Sequence, residues 1–178
     1  MKEPISQLEF RVATLDDARL LSELGAATFR ETFVNENTPE DMAVYLSQNF
    51  VPERLEEELS DPLSTFLILE LSGKPVGYAK LSKSDPDSGV TGTRPLELVR
   101  LYVLAEHIGQ GAGAMLMTAC LRQAESRGHD TLWLGVWERN LRAINFYNKW
   151  GFERVGSHIF QLGSDAQTDL ILQKRLSP

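Results

Sequence analysis

Gly109, Gly111 and Gly113 stand at every second position, after an apolar run at Leu96–Val103 and the connecting residues Leu104–Ile108. Downstream, Met115, Leu116, Ala119, Cys120 and Ala124 recur at helical spacing until Gly128. A close-spaced glycine turn that opens a helix leaves amide N–H groups unpaired and unobstructed, which makes it a cradle for an anion such as a pyrophosphate. A purely structural tight turn would look the same. Gly109-x-Gly111-x-x-Ala114 also fits the relaxed dinucleotide fingerprint, with Glu138 as the ribose acid. Against that reading, the first glycine does not follow its strand at once, too little chain follows Gly113 for a second nucleotide-binding half, and the preceding hairpin is not doubly wound. A Walker loop is excluded because no Gly-Lys-Ser/Thr ending is present.

Other reactive side chains are sorted by their placement. Cys120 falls on the inward side of the helix after the glycine turn, where a thiol is an inert core group and not a nucleophile. His107, His129 and His158 share no metal-ligand spacing with each other or with acids, so no metal is expected. Glu97 lies on the strand Leu96–Val103, and strict alternation places it with Val99, Leu101 and Val103. A carboxylate in such apolar company has a raised pKa and could act as a base; a strand carboxylate paired with Arg100 is the plainer alternative.

The elements that must position these groups are readable from punctuation and periodicity. Residues 9–13 alternate as a strand, and Thr14-x-x-Asp17 starts a helix running to about Phe33. Pro39 and Pro52 stand at first helical positions of two more helices. Residues 65–71 and 75–81 form a hairpin around Ser72-Gly73-Lys74, and 84–95 form a loop. Then come the strand 96–103, the glycine turn and helix, a strand at 131–136, a helix from Asn140 to Trp150, and strands at 152–160 and 167–172. With 178 residues, no internal repeat and no linker, a single α/β domain with one mixed sheet is expected.

A second cluster gives the glycine turn its meaning: Asn140-x-x-Ala143-x-x-Phe146-Tyr147-x-x-x-Gly151-Phe152. With these two motifs in this order, the chain resembles the GNAT superfamily of acetyl-CoA-dependent N-acetyltransferases, strongly from Leu96 to Phe160 and more loosely before. The resemblance implies one domain over residues 1–178, with an acceptor-side half at 9–95 and an acetyl-CoA-binding half at 96–178. It implies a mostly antiparallel sheet, flanked by helices, whose central strand pair is splayed. Backbone groups of Leu101, Tyr102 and Val103 would hold the pantetheine arm, and Asn140 would support it. The pyrophosphate would lie on Gly109, Gln110, Gly111, Ala112, Gly113 and Ala114. Tyr147 would stand near the sulfur and protonate the departing thiolate, and an N–H freed by a strand bulge, at Leu101 or Tyr102, would receive the oxyanion. Ile108 departs from the family pattern, which usually has Gln or Arg there; Gln110 is the substitute at hand. The position that carries Glu in some relatives corresponds to Gly135, so a water relay is the alternative to Glu97.

Charge and composition set the partners. Eighteen basic residues against 25 acidic ones give a net charge of −7, which opposes nucleic-acid binding. Residues 31–61 carry nine acids against Arg54 alone. This run reads either as a solvated helix surface or as a field drawing in a cationic acceptor through Glu31, Glu36 and Asp41. The acidity, with a general likeness of the N-terminal half to the spermidine/spermine-acetylating branch, points to a polyamine, with a protein or peptide amine or an aminoglycoside as alternatives. The rival class is a non-catalytic CoA-binding or regulatory module. No apolar run is long enough to span a membrane, and residues 1–4 open no signal peptide, so a cytoplasmic protein is expected; a homodimer is left open.

Overall fold

The computed structural model describes residues 8–176; the N-terminal residues read above for a signal peptide lie outside them. Strand β1 (Leu8–Val12) leads through a single 3-10 turn into three helices, α1 (Ala18–Phe33), α2 (Pro39–Asn49) and α3 (Pro52–Ser60). The hairpin β2 (Ser64–Leu71) and β3 (Lys74–Ser82) follows, then β4 (Pro95–Val103), α4 (Ala112–Ser126), β5 (Thr131–Trp137), α5 (Leu141–Lys149), β6 (Glu153–Leu162) and β7 (Asp165–Arg175). These seven strands form one sheet in the order β1-β2-β3-β4-β5-β7-β6, antiparallel throughout except for β4 and β5.

The local signals act through identifiable contacts. Thr14 and Asp17 form a capping box, and Asp17 also takes a two-pronged contact from Arg11 at 2.8 Å, which ties β1 to the helix start. That cap begins with a 3-10 turn, so α1 starts at Ala18. Thr38 accepts the Asp41 N–H ahead of Pro39, as its sequence pattern requires. Ser72 and Gly73 both have positive φ, the geometry of a two-residue turn whose twist matches its strands.

Helices cover both faces. On one side α4 and α5 bury Leu116, Met117, Cys120 and Tyr147 against Leu132, Leu134 and Val136 of β5. On the other, Leu21 and Leu24 of α1 and Leu55 of α3 pack on Phe66, Ile68 and Tyr78. A third, aromatic cluster joins Phe29, Met42 and Phe50 to Leu162 of β6. Among the described residues no helix is long and apolar enough to cross a membrane.

The sheet is forked at its centre. Strands β4 and β5 pair only from Pro95–Glu97 to Thr131–Trp133, after which β5 pairs with β7 alone. On its other edge β4 shifts register against β3: Leu98 faces Leu81 and Arg100 faces Lys80, which leaves Val99 as the extra residue. This bulge is the point where β4 swings away from β5.

Candidate active site

The bulge reverses the alternation expected for β4. Cross-strand partners share a face, so Glu97 (opposite Ser82), Arg100 (opposite Lys80) and Tyr102 (opposite Tyr78) lie together toward α1–α3. Leu98, Leu101 and Val103 lie toward α4. The expectation that Glu97 shares a face with Val99, Leu101 and Val103 is therefore corrected, because one inserted residue shifts the phase of every side chain beyond it.

The same register decides which backbone groups face the fork. The N–H of Leu104 donates to Val76 O on β3 at 2.9 Å. Orientation alternates along the strand, so the N–H and C=O of Tyr102 also turn to β3, and those of Leu101 and Val103 face the gap. Of the three backbone positions expected to hold a pantetheine arm, Leu101 and Val103 turn toward the gap. Tyr102 instead contributes its ring, 6.4 Å from that of Phe29, to the other wall.

A cleft of about 630 Å³ runs through this fork. At its mouth Gly109 (φ 78°) and Gly111 (φ 89°) occupy the left-handed region that disfavours side chains, and Gly111 caps α4. The first bond of the helix is Met115 N–H to Gly111 O, so the amides of Ala112, Gly113 and Ala114 have no partner within α4. Gly109, Gly111, Gly113 and Ala114 line the cleft; the Ala112 side chain is turned into the core and leaves only its backbone. Ile108 also lines it, without an anion-binding side chain. Gln110 does not replace one: its Nε2 donates back to Glu106 O. Asn140 caps α5 by accepting the Ala143 N–H at 3.2 Å, while lining the cleft.

Deeper in, Tyr147 lines the cleft and is 8% exposed, its ring edge-on to Phe146 and Phe152. Burial raises the pKa of its phenol, which keeps it protonated at any working pH. Cys120 is fully buried with its thiol pushed up to about 12 by burial, an inert neighbour.

The remaining wall is aromatic on one flank and charged on the other. Phe29 stacks on Tyr45 at 4.5 Å, and Phe33, Trp137 and Phe160 continue the surface. Glu58 of α3, 6% exposed, takes Arg100 at 2.8 and 3.1 Å and Lys80 at 2.9 Å. Burial pushes its carboxyl up, but these cations outweigh burial and hold it below the ordinary carboxylate range. Glu97 accepts the Ser84 hydroxyl, and burial raises its pKa.

The acids expected to draw in an acceptor lie elsewhere. Glu31 accepts the Ala105 N–H at 2.8 Å, and Asp41 accepts Ser164 N–H at 2.6 Å, clamping the β6–β7 turn to α2. Glu36 is exposed, and none of the three lines the cleft. From the acidic run only Glu58 reaches it, already neutralised. Substituting Glu58→Gln is expected to cost about 3–5 kcal/mol, since it strands buried cations, and a denaturant titration reads this directly. Because the folded pKa of Glu58 is lowered, its contribution is complete above its unfolded value of about 4.3 and is lost as pH falls through the folded one.

The forked sheet thus opens a cleft between two strands, with the glycine-capped N-terminus of α4 at its mouth. The profile of the Acetyltransferase (GNAT) family matches residues 28–152. The chain is 37% identical over 149 residues (84% of this chain, 86% of the relative) to an uncharacterized N-acetyltransferase in the pepI 3' region of Lactobacillus delbrueckii subsp. lactis. It is 35% identical over 162 residues (91% and 99%) to an uncharacterized N-acetyltransferase of Mycobacterium bovis. In fold it is similar to the PaiA N-acetyltransferase of Thermoplasma acidophilum in complex with coenzyme A, with TM-score 0.76 and 20% identity over 94% and 98% of the chains. It is also similar to the Salmonella typhimurium YncA structure with its cofactor acetyl-CoA, with TM-score 0.65 and 20% identity over 96% and 95%. This chain belongs to the GNAT family and is an N-acetyltransferase.

The fold brings two further groups into the cleft: His158, weighed in the sequence only as a metal ligand, and Asp169, which the sequence reading did not single out. Asp169 shares a period-two polar pattern with Asp165 and Gln167 in β7, whereas His158 stands between Gly156 and Phe160 on its face of β6 and carries no such signal.

Proposed function

We propose that the protein moves acetyl from acetyl-CoA to a primary amine by direct attack in a ternary complex. The observation that carries this reading is that one cleft holds both the unpaired N–H groups of the Gly109–Ala114 turn and the buried hydroxyl-bearing Tyr147. When bound, acetyl-CoA supplies an activated thioester. The amides of Ala112, Gly113 and Ala114 receive its pyrophosphate, Leu101 and Val103 offer their backbone to its arm, and Asn140 supports the arm from α5. The Leu101 N–H, aimed into the gap beside the bulge, serves the oxyanion. Tyr147 gives its proton to the departing sulfur.

Glu97 places negative charge beside the incoming amine. The acceptor we favour is a primary amine on an apolar or aromatic body, because Phe29, Phe33, Tyr45, Trp137 and Phe160 form its wall. A polyamine, the reading drawn from the acidic run, retains the support of Glu97 and Asp169 alone, since Glu31, Glu36 and Asp41 are engaged or exposed outside the cleft.

Thiol release from acetyl-CoA is the test, with phenethylamine, spermidine, an aminoglycoside and a lysine-containing peptide as acceptors. The expected order puts phenethylamine above spermidine in kcat/KM. Binding of acetyl-CoA with no turnover of any amine would leave a non-catalytic CoA-binding module.

A further inference from the structure

One imidazole stands in the cleft. His158 of β6 and Asp169 of β7 are cross-strand partners, and both lean over Gly135 of β5. A Cβ at Gly135 would meet Asp169 Oδ2 at 3.5 Å and His158 Nε2 at 3.6 Å. The glycine thus leaves open the space in front of both groups, on the β5 segment that β4 no longer covers.

The ring is held from behind. Asp87 Oδ2 lies 2.6 Å from His158 Nδ1. A carboxylate can only accept, so Nδ1 carries the hydrogen and the neutral ring presents its lone pair at Nε2. Asp87 is delivered by the β3–β4 loop, which lies close against the bulged part of β6. A Cβ at Gly156 would come within 2.8 Å of Ser88 O, and Gly89, with φ 96°, packs on the Val155 carbonyl. Glycine at both positions permits this approach.

The front of the ring is incomplete. Nε2 is 3.8 Å from Asp169 Oδ2, too far for a hydrogen bond. Asp169 Oδ1 is buried with no hydrogen-bond partner, although buried carboxylate oxygens are nearly always paired. An ammonium group in front of Gly135 donates one N–H to Asp169 Oδ2 and directs a second at Nε2, the two atoms that face that space. Burial pushes the Asp169 carboxyl up to about 6, so above that pH it offers the charge an ammonium needs.

We propose that His158 is the catalytic proton acceptor for the incoming amine, with Asp169 docking the ammonium and Asp87 positioning the ring. This rests on the acetyl-transfer reading above. Nε2 takes one proton from R–NH3⁺, and the N–H bonding pair stays on nitrogen as the nucleophilic lone pair. The N–C bond to the acetyl carbon then forms and the C–S bond breaks. A second amine proton is shed to solvent as the amide forms, Tyr147 passes its proton to the sulfur and is reprotonated from solvent, and the imidazolium returns its proton to solvent. Charge facing His158 comes from Asp87 in the loop, Asp169 on β7 and Glu97 on β4, with Tyr45 of α2 coupled to Asp169.

The test compares His158→Gln and Asp87→Asn with wild type, using the best amine of the panel. His158→Gln is expected to bind acetyl-CoA normally by calorimetry and to lose roughly 10²- to 10⁴-fold in kcat/KM at neutral pH, recovering as pH rises and the amine deprotonates unaided. Asp87→Asn, on a surface loop, is expected to move the acid limb of the pH profile to lower pH, a change that a merely structural contact would not produce. Imidazole nitrogen NMR of the ligand-free wild type is expected to show hydrogen on Nδ1 and not on Nε2. An Nε2–H tautomer, or a His158→Gln rate within about twofold of wild type with an unchanged pH profile, overturns the assignment while leaving acetyl transfer standing. No turnover of any amine by wild type fails acetyl transfer instead, and the tautomer then decides the geometry of the dyad by itself.

Discussion

Tyr147→Phe is expected to lower kcat by roughly 10²- to 10⁴-fold while leaving the affinity for acetyl-CoA within about twofold. The substitution removes one oxygen and preserves the ring, whose contacts with Phe146 and Phe152 hold α5 against the sheet, so the protein stays folded. The burial that raises the phenol pKa keeps the hydroxyl a hydrogen-bond donor throughout the neutral range. A thiolate is less basic than this phenolate, so the hydroxyl aids its departure by donating to the charge that develops on sulfur, and the proton it passes on is replaced from solvent. The sign of the pH effect follows: the hydroxyl is available throughout the neutral range, so loss of activity toward acid pH comes from the amine side of the cleft. Steady-state kinetics of the folded variant decides the assignment, and turnover within about twofold of wild type would mean that the thiolate leaves without help from this residue.

Gly111→Val is expected to abolish acetyl-CoA binding, measured by calorimetry on protein whose fold is checked by its far-ultraviolet spectrum. Gly111 has φ 89° and caps α4, so a β-branched residue there is strained before any ligand arrives. To relieve the strain the turn must rotate, and the Ala112, Gly113 and Ala114 amides then no longer converge on one anion. The effect is specific to the donor, because the aromatic wall and the His158 dyad lie at the other end of the cleft. Unchanged affinity in a folded variant would fail the phosphate-cradle reading.

Much of this architecture is legible residue by residue. Pro39 and Pro52 mark helix starts, Gly128 and Gly151 follow helix ends, and alternation marks the strands, because these are local effects that act within one turn or one pleat. The glycine turn is legible for the same reason, through spacing along a continuous stretch; Tyr147 entered through the family resemblance, and the fold places it in the same cleft. What escaped was set by pairs distant in sequence. Nothing in residues 95–103 alone says that Val99 will be extruded; that follows from the register of β3 against β4, and it reverses the face of Glu97. The acids of residues 31–61 read either as a solvated helix surface or as a field, yet Glu31 and Asp41 have partners, Ala105 and Ser164, that lie 74 and 123 positions away and turn these two into structural clamps. His158 met Asp87 only when a loop folded across β6, 71 positions upstream.

The fork in the sheet bears also on what the protein avoids. A strand edge with free N–H and C=O groups is an invitation to any passing chain, and sheets normally blunt such edges at their rims. Here the unsatisfied edge of β4 at Leu101 and Val103 sits in the middle of the sheet, walled by β5 on one side and by helices above and below. A flat strand from a neighbouring molecule would have to thread between two strands to reach it, whereas a slender, flexible chain can slide in end first. Recessing the edge therefore leaves a strand-pairing surface open while shielding it from the flat strands of other chains.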